Sequence, residues 1–418
     1  MRERNEAMLG KGDNQAIREV NRSIILDLVR RAGRVSRTEL ARQSKLTKPT
    51  VSTIIDEFIG NGIVREVGLG ESLSGGGRPA RMLEFNDASA AYLGIHFGVR
   101  ATRVAVADAR GVIRVVRGRP SLRDAAARAG KVVRAMASEA LQAAKIPWTR
   151  VAAAAATVPG LVDQETGVCV LAPNLAWRDV RLREALQDEL RVPVVVNNIT
   201  QASAVAEGRA GAARGVRSYV WLYVGSGVGA GIVVDGKLFH GRSGFSGEIG
   251  HCPVSDVGPA CGCGRRGCLE TVASAMALLR AADEAIAAKQ TTCLARLGGP
   301  LDMAALATAA AQGDAVAKGI LDQGSEHLGR GIAFLLNILN PEMIVVGGPI
   351  IDAGEPFLRE VRASVARHAL LPHGVAIVPS TLADRAELTG SVFLAMESTV
   401  RSYRIVGSHD ARTRMAVE

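Results

Sequence analysis

The segment HCPVSDVGPACGCGRRGC, residues 251–268, holds four of the chain's six cysteines and one of its seven histidines. One imidazole and three thiolates, a set suited to tetrahedral zinc, are available from His251, Cys261, Cys263 and Cys268. The glycines between the cysteines let the backbone fold tightly round an ion. A thiol–disulfide pair is more typically CxxC beside a helix start, which this segment does not have. The segment therefore predicts one structural zinc ion per chain, because four protein ligands leave no open position.

The start of the chain, MRERNEAMLGKGDNQ, is polar and has no apolar core of a secretory signal. No run of the sequence approaches the roughly 18 apolar residues of a membrane span. We therefore expect a cytoplasmic protein with no membrane partner, in which thiols stay reduced. This expectation removes the disulfide interpretation of the cysteine segment. The net charge of +10 favours an acidic partner without identifying it.

Residues 14–87 have the pattern of a winged helix-turn-helix, behind a predicted flexible tail at 1–13. A second helix begins at Ser36, which forms a capping box with Glu39, and a third helix follows Thr47 as its N-cap. The segments IVREV and ARMLEF predict the two strands of a wing around a glycine-rich tip. A first amphipathic helix, ending near Gly33, is predicted from the spacing of Ile17, Val20, Ile24, Ile25 and Leu28.

The third helix of such a domain offers its N-terminal side chains to the major groove of DNA. From Arg30 to Lys48, seven basic residues accompany one acidic residue. A small helical bundle with a solvated basic face is the alternative, but turn, cap, basic run and glycine-rich wing follow in the order of a DNA-binding domain. Because such domains usually bind paired half-sites, we expect a homodimer or a dimer of dimers. The predicted contacts with duplex DNA are Arg37, Lys45, Thr47, Lys48, Pro49, Thr50, Ser52, Thr53 and Arg78.

Residues 88–403 have a different composition, with buried strands alternating with helical stretches. AYLGIHFGVRATRVAVADARGVIRVVRGR predicts three strands joined by tight turns, and VAAAAATVPGLVD and VPVVVNN predict further strands. SYVWLYVGSGVGAGIVVDGKLFHG then repeats the order of strand, glycine turn and strand. The pattern predicts an α/β domain of two related lobes, each a mixed sheet flanked by helices. A short tail is predicted at 404–418.

The order of winged helix, LGIHFG, VPG, VVNN, GSGVGAG, GEIGH, CGCGRRGCLE and NPEMIVVGGPI resembles the ROK family, which unites bacterial sugar kinases with sugar-responsive repressors. The resemblance covers nearly the whole chain and is most specific at GEIGH and the cysteine segment. It implies an actin-like (ribonuclease H-like) fold with a sugar between two lobes, and the same four zinc ligands. The sugar contacts that it implies are Gly160, Asn198, Glu248, His251 and Glu270.

Two departures from the kinases of this family argue against phosphoryl transfer. The first phosphate loop of the kinases begins D-x-G-G-T, where this chain has His96 in place of the carboxylate that helps to hold magnesium. The kinase segment E-N-D-x-N carries the catalytic base, and its Asp position is Ile199 here, which cannot accept a proton. The chain is therefore expected to sense a sugar without phosphorylating it, as a repressor of carbohydrate metabolism genes.

Two other functions stay open at the level of sequence. One is an ATP-dependent sugar kinase fused to a DNA-binding domain, and the other is an architectural DNA-binding protein whose second region only dimerises. Ile199 would also make one wall of the sugar site apolar, which favours a pentose, a deoxy sugar or an altered pose over an unmodified hexose.

Overall fold

A computed structural model describes residues 17–18, 20–70, 79–296, 301–370 and 374–409. The predicted tail at 1–13, the wing tip with Arg78, and residues 410–418 lie outside the described residues. No helix in the described part of the chain combines the length and the apolar character that spanning a membrane requires.

The N-terminal domain is the predicted winged helix-turn-helix, with one strand more than expected. Its three-stranded sheet has the order β1-β3-β2, and the β2–β3 hairpin is antiparallel. Ser36 accepts a hydrogen bond from the Glu39 amide (3.2 Å), and Thr47 caps the third helix, as predicted. The Glu39 carboxylate accepts from Arg42 and Gln43, so the capping box is only half formed. The elements are α1 (20–32), β1 (Arg34–Ser36), α2 (Arg37–Ser44), α3 (Lys48–Gly60), β2 (Val64–Leu69) and β3 (Arg81–Phe85).

The prediction of which α1 residues face the core is partly wrong. Ile17, Val20 and Ile24 are 57%, 47% and 39% exposed, whereas Ile25 and Val29 are buried. The reason is that the core of this small domain, built by α2, α3 and the hairpin, lies under only the second half of α1.

The first lobe contains a five-stranded sheet in the order β11-β7-β4-β5-β6 and a small sheet of β8, β9 and β10. Strands β4, β5 and β6 form an antiparallel meander, and β7 and β11 add to it in parallel. The elements are β4 (Ala91–Phe97), β5 (Ala101–Asp108), β6 (Ile113–Pro120), α4 (Ala129–Ala144), β7 (Val151–Val158), β8 (Leu161–Asp163), β9 (Val168–Ala172), β10 (Trp177–Val180), α5 (Leu182–Leu190), β11 (Val194–Asn198) and α6 (Ile199–Ala210).

The second lobe repeats this topology, with the sheet order β14-β13-β12-β15-β16. Strands β12, β13 and β14 are antiparallel, and β15 and β16 follow in parallel. The shared order confirms the prediction of two related lobes. The elements are β12 (Tyr219–Val224), β13 (Val228–Val234), β14 (Lys237–Leu238), α7 (Leu269–Ala273), α8 (Ala275–Ala287), α9 (Met303–Ala311), α10 (Ala315–Leu339), β15 (Met343–Gly347), α11 (Gly354–His368), β16 (Ala376–Pro379) and α12 (Ala386–His409).

Helices α6 and α12 lie between the two lobes. Helix α6 contacts β12 and β13 of the second lobe, and α12 contacts β4 and β7 of the first. The two helices cross closely, since a Cβ placed on Gly390 would lie 1.9 Å from the Ala202 carbonyl oxygen. Helix α12 continues to His409, six residues beyond the predicted end of the domain at 403.

Candidate functional site

The cysteine segment follows β14 in a long loop that lies against β13. Two glycines of the GEIGH motif set its position: Cβ atoms at Gly247 and Gly250 would lie 1.9 Å from the Ala230 carbonyl oxygen and 2.1 Å from that of Val228. Gly247 also has a φ of +90°, a backbone conformation that favours glycine. Residues with side chains at these two positions would push the loop away from the sheet.

The four predicted metal ligands converge in this loop. The candidate ligand atoms of His251, Cys261, Cys263 and Cys268 all lie within 4.8 Å of one another. The Cys263 and Cys268 Sγ atoms are 3.6 Å apart, and the Cys261 Sγ lies 3.5 Å from the His251 Nδ1. Thiolates bound tetrahedrally at about 2.3 Å from zinc are separated by about 3.8 Å. The spacing therefore fits one such ion.

The chemistry of the thiols also fits a cation. Burial raises the pKa of the Cys261 and Cys268 thiols, because the thiolate is poorly solvated there. A hydrogen bond from the backbone at Arg265 lowers the pKa of Cys263 to about 7. A divalent ion would favour the thiolate form of all three side chains.

Two carboxylates flank the imidazole of His251. Glu270 Oε1 lies 3.5 Å from Nδ1 of the ring and accepts a hydrogen bond from the Cys261 thiol at 3.0 Å. Glu248 Oε2 lies 4.0 Å from Nε2, and burial raises the pKa of this carboxyl group. Among the described residues, the ion pairs of both carboxylates are with His251. Neither carboxylate is therefore neutralised by an arginine or lysine, which leaves both able to accept hydrogen bonds from a ligand.

Asn198 and Gly160 form a second group, at the carboxyl ends of β11 and β7. The Asn198 Oδ1 accepts hydrogen bonds from the amide and the hydroxyl of Thr200, both at 2.7 Å, and so caps α6. The Asn198 Nδ2 donates to the Gly160 carbonyl at 2.8 Å. The same hydroxyl lies 3.1 Å from the Ala230 carbonyl oxygen, its alternative acceptor, which lies beside Gly247. The five predicted sugar contacts thus belong to two adjoining clusters.

Gln201 is a polar contact that the sequence interpretation missed. It is 1% exposed, and its Nε2 donates to the Gly244 carbonyl at 2.9 Å, while its Oε1 accepts from Gln164 and lies 3.3 Å from the His240 Nδ1. Gln201 therefore holds the loop after β14 against α6. Polar residues are common in the first turn of a helix, so the sequence did not indicate that Gln201 makes these contacts.

A cavity of about 850 Å³ opens beside β11. Its lining includes Gln164, Asn197 and His240 but none of the five predicted sugar contacts.

His96 and Ile199, the two positions where the family resemblance implies carboxylates in the kinases, are both buried. His96 is 7% exposed, and its Nδ1 lies 3.2 Å from the Thr157 hydroxyl. Burial lowers the pKa of His96 to about 3, so the ring is neutral at physiological pH. Ile199 is the first residue of α6 and is 9% exposed. Neither side chain supplies a negative charge or a base at its position.

The predicted DNA contacts lie mostly on one exposed surface of the N-terminal domain. Thr47 accepts a hydrogen bond from the Thr50 amide (3.4 Å), which caps α3. The basic residues on either side of this cap, Lys45 and Lys48, are exposed. Thr50 and Ser52 are half-buried. The exposed members are Lys45, Thr47, Lys48, Pro49 and Thr53.

Arg37 differs from these residues because its charge is already partnered. Its guanidinium lies 2.7 Å from Asp56 and 3.6 Å from Glu66, and donates to the Ser52 carbonyl at 3.4 Å. Arg37 thus ties α2 to α3 and to β2. Its partners are distant in sequence, so the local basic run gave no sign of them.

Comparisons with known proteins agree with this architecture. The profile of the ROK family matches residues 92–398, and a winged helix-turn-helix DNA-binding profile matches residues 21–65. The xylose repressor of Caldicellulosiruptor bescii is 30% identical over 392 residues, which cover 92% of this chain and 97% of that protein. A glucokinase of Halalkalibacterium halodurans is 37% identical over 245 residues, 57% of this chain and 74% of that protein.

A solved structure of similar organisation is that of a ROK family transcriptional regulator described as a homolog of the E. coli Mlc protein. It is 28% identical, with a TM-score of 0.80, and the match covers 94% of this chain and 98% of that one. The similarity therefore includes both the N-terminal domain and the two lobes.

The burial of His96 predicts how the stability of the fold depends on pH. Because its pKa is near 3 in the folded protein and about 6.5 in the unfolded chain, the unfolded chain binds more protons below pH 6.5. This effect lowers the stability of the fold as the pH falls from 6.5 toward 3. Between pH 7 and pH 5, the wild type should lose about 2 kcal/mol more of its unfolding free energy than His96→Gln, measured by urea denaturation. Equal losses would mean that His96 is protonated in the folded protein.

Proposed function

The chain belongs to the ROK family, and from that premise we propose that it regulates transcription in response to a sugar or sugar derivative. The winged helix-turn-helix would bind operator DNA, and the two lobes would bind the sugar and alter that binding. The observation that carries the proposal is that a DNA-binding domain precedes a lobed domain in which two carboxylates, Glu248 and Glu270, lie beside His251. His96 and Ile199 stand where the resemblance to the kinases implies carboxylates.

An ATP-dependent kinase is the second candidate, favoured by the similarity to a glucokinase. Against it stand a neutral, buried His96 at the magnesium-binding position and an apolar Ile199 at the position of the base. A coupled assay with ATP, magnesium and a panel of sugars separates the candidates, because a sensor binds sugar without releasing ADP.

The sugar would lie between the two clusters of the site. Glu248 and Glu270 would accept hydrogen bonds from vicinal hydroxyls, and His251, Asn198 and Gly160 would complete the contacts. Ile199 would leave one wall without a polar partner, so a pentose or a deoxy sugar fits better than a hexose with a hydroxyl there. The name of the xylose repressor among the relatives supports a pentose.

We propose further that the loop binds one zinc ion through His251, Cys261, Cys263 and Cys268, as the 4.8 Å cluster permits. When bound, zinc would keep the three sulfurs as thiolates and fix the tautomer of the imidazole. With Nδ1 directed at the sulfurs, Nε2 of His251 would carry the proton and face Glu248. The loop would thereby hold Glu248 in its place at the cleft.

Zinc binding has a direct test. The wild type purified without chelator should contain one zinc per chain by elemental analysis, and Cys261→Ser should contain little or none. Structural zinc supplies several kcal/mol of folding free energy, so the variant should also melt at a lower temperature. Cys169→Ser, at a buried cysteine outside the loop, should keep its zinc. Wild-type protein free of metal would contradict the proposal.

DNA binding is tested at Lys48, which is exposed at the start of α3. Lys48→Ala should weaken operator binding and lower the slope of log affinity against log salt by about one, because one phosphate contact is lost. Its melting temperature should not change. Arg37→Ala should instead destabilise the domain, since it breaks the contacts with Asp56 and Glu66. A flat salt response of the wild type in gel shift would rule out this mode of DNA binding.

The sensor function is tested at Glu248. Glu248→Ala should weaken sugar binding at least tenfold, because it removes charge-assisted hydrogen bonds worth about 1.5–3 kcal/mol each. Operator binding in the absence of sugar should stay normal, since the N-terminal domain and the four candidate ligands are intact. Operator titrations with and without sugar measure both effects.

The matched control for this variant is Glu165→Ala, which removes an exposed carboxylate from the wall of the cavity beside β11. This control should respond to sugar like the wild type. If Glu248→Ala responds at the wild-type sugar concentration, the sugar site does not include Glu248.

A further inference from the structure

The β5–β6 turn of the first lobe, residues 108–112, lies against the DNA-binding domain. Asp108 shapes the turn, since its Oδ1 accepts from the amides of Arg110 (2.9 Å) and Val112 (3.1 Å) and its Oδ2 accepts from the Arg114 Nε (2.8 Å). Asp108 is buried. The turn is therefore a fixed feature of the lobe, and Arg110 projects from a rigid base.

Arg110 contacts three groups of the N-terminal domain and its linker. Its Nε donates to the Asp87 carboxylate, its Nη1 donates to the Arg30 carbonyl at 3.1 Å, and its guanidinium lies 5.6 Å from the Phe85 ring centre. Next to it, the Ala109 amide donates to the Asp87 carbonyl at 3.1 Å, and Ala109 packs in the core of the DNA-binding domain. We call Arg30, Phe85, Asp87, Ala109 and Arg110 the joint.

The opposite side of the same turn rests on α12. A Cβ at Gly111 would lie 2.8 Å from the Phe393 ring and 2.9 Å from the Met396 sulfur, so the turn backbone touches this helix directly. Arg209, in the last turn of α6, lies 5.3 Å from the Phe393 ring centre and pairs with Glu397 at 2.5 Å. The last turn of α6 and the middle of α12 therefore meet behind the joint.

Helix α6 connects this region to the candidate sugar site. Its N-cap is Asn198, and its twelve residues span about 18 Å. One end of the helix thus belongs to the site, and the other end carries Arg209. Arg209 of α6 and Gly111 of the turn both contact Phe393. A displacement of α6 would therefore act on the turn through one side chain, without an intervening loop.

On these contacts we propose that Arg110 is a positioning residue. It holds the winged helix-turn-helix in a fixed position relative to α6 and α12, so that sugar binding changes the orientation of the DNA-binding domain. The proposal rests on the proposed sensor function. A sugar shifts DNA binding only if it favours one arrangement of the two domains, and the joint is where the arrangements differ. Arginine suits the position because one planar guanidinium bonds the carboxylate and the carbonyl and also contacts the ring.

In the described part of the chain, one hydrogen-bonding group of the joint is left without a partner in this arrangement. Arg30 lies 5.1 Å from the Phe85 ring centre, so two guanidinium groups contact one ring. The buried Arg30 Nε has no hydrogen-bond partner within the described residues. Such a group costs free energy in this arrangement and favours any alternative that satisfies it.

The test compares Arg110→Ala with the wild type and with Arg117→Ala, whose guanidinium on β6 donates to the neighbouring Val116 carbonyl instead (3.2 Å). Operator affinity is measured with and without D-xylose, D-glucose or N-acetylglucosamine. Arg110→Ala should bind the sugar and the operator, but the factor by which sugar changes operator affinity should fall about fivefold or more, toward one. Arg117→Ala should keep the wild-type factor.

A second measurement needs no sugar. Labels introduced as non-natural amino acids at the exposed positions Thr38 and Gln142 report the distance between the two domains. Arg110→Ala should broaden the distance distribution, Arg110→Lys should broaden it less, and Arg117→Ala should leave it unchanged. If Arg110→Ala does not fold, Arg110→Lys and Asp87→Asn provide both readouts.

The outcomes distinguish the joint from the sensor function. A wild-type distance distribution or a wild-type sugar response in the Arg110 variants overturns the role of the joint. If none of the sugars changes operator affinity in the wild type, the sensor function for these sugars fails, and the distance measurement still decides whether Arg110 positions the domain.

Discussion

The close crossing of α6 and α12 is the contact on which the arrangement of the two lobes depends. At Gly390 and Ala202 the helix backbones touch, because a Cβ on the glycine would lie only 1.9 Å from the carbonyl oxygen. A larger residue would separate the helices and, with them, the sheets they cover. Since α6 contacts the second lobe and α12 the first, this crossing fixes how the lobes face each other. The candidate sugar site lies at the N-terminal end of α6, and the joint lies behind Phe393, near the C-terminal end of α6.

The loop that carries GEIGH and the cysteines is held in a different way. It contains no long helix or strand, so its position depends on glycines that touch β13 and on the four converging ligands. A hydrophobic core could not replace these ligands, because the loop is half-exposed and rich in glycine. The positions of the Glu248 and Glu270 carboxylates depend on this cluster, because both carboxylates lie beside His251.

Local patterns in the sequence predicted the elements of the fold but not the contacts between them. The caps at Ser36 and Thr47, the wing strands and the repeated lobe were predictable because each depends on neighbouring residues. The convergence of His251 with the three cysteines was predictable from ligand chemistry at short spacing. The ion pairs of Arg37, the hydrogen bonds of Gln201 and the contacts of Arg110 were not, because they join segments that only the tertiary fold brings together.

Buried hydrogen bonds connect helix α6 to the second lobe. Helix α6 is bonded to the second lobe and its loops through Thr200 to Ala230, Gln201 to Gly244 and Glu207 to Ser380. Leaving any of these groups unpaired costs about 1–3 kcal/mol, so these bonds hold α6 against the second lobe. Its contact with α12 combines small and apolar side chains with the Arg209–Glu397 ion pair. On α12 this contact includes Phe393, which packs against Arg209 of α6 and against the turn that carries Arg110.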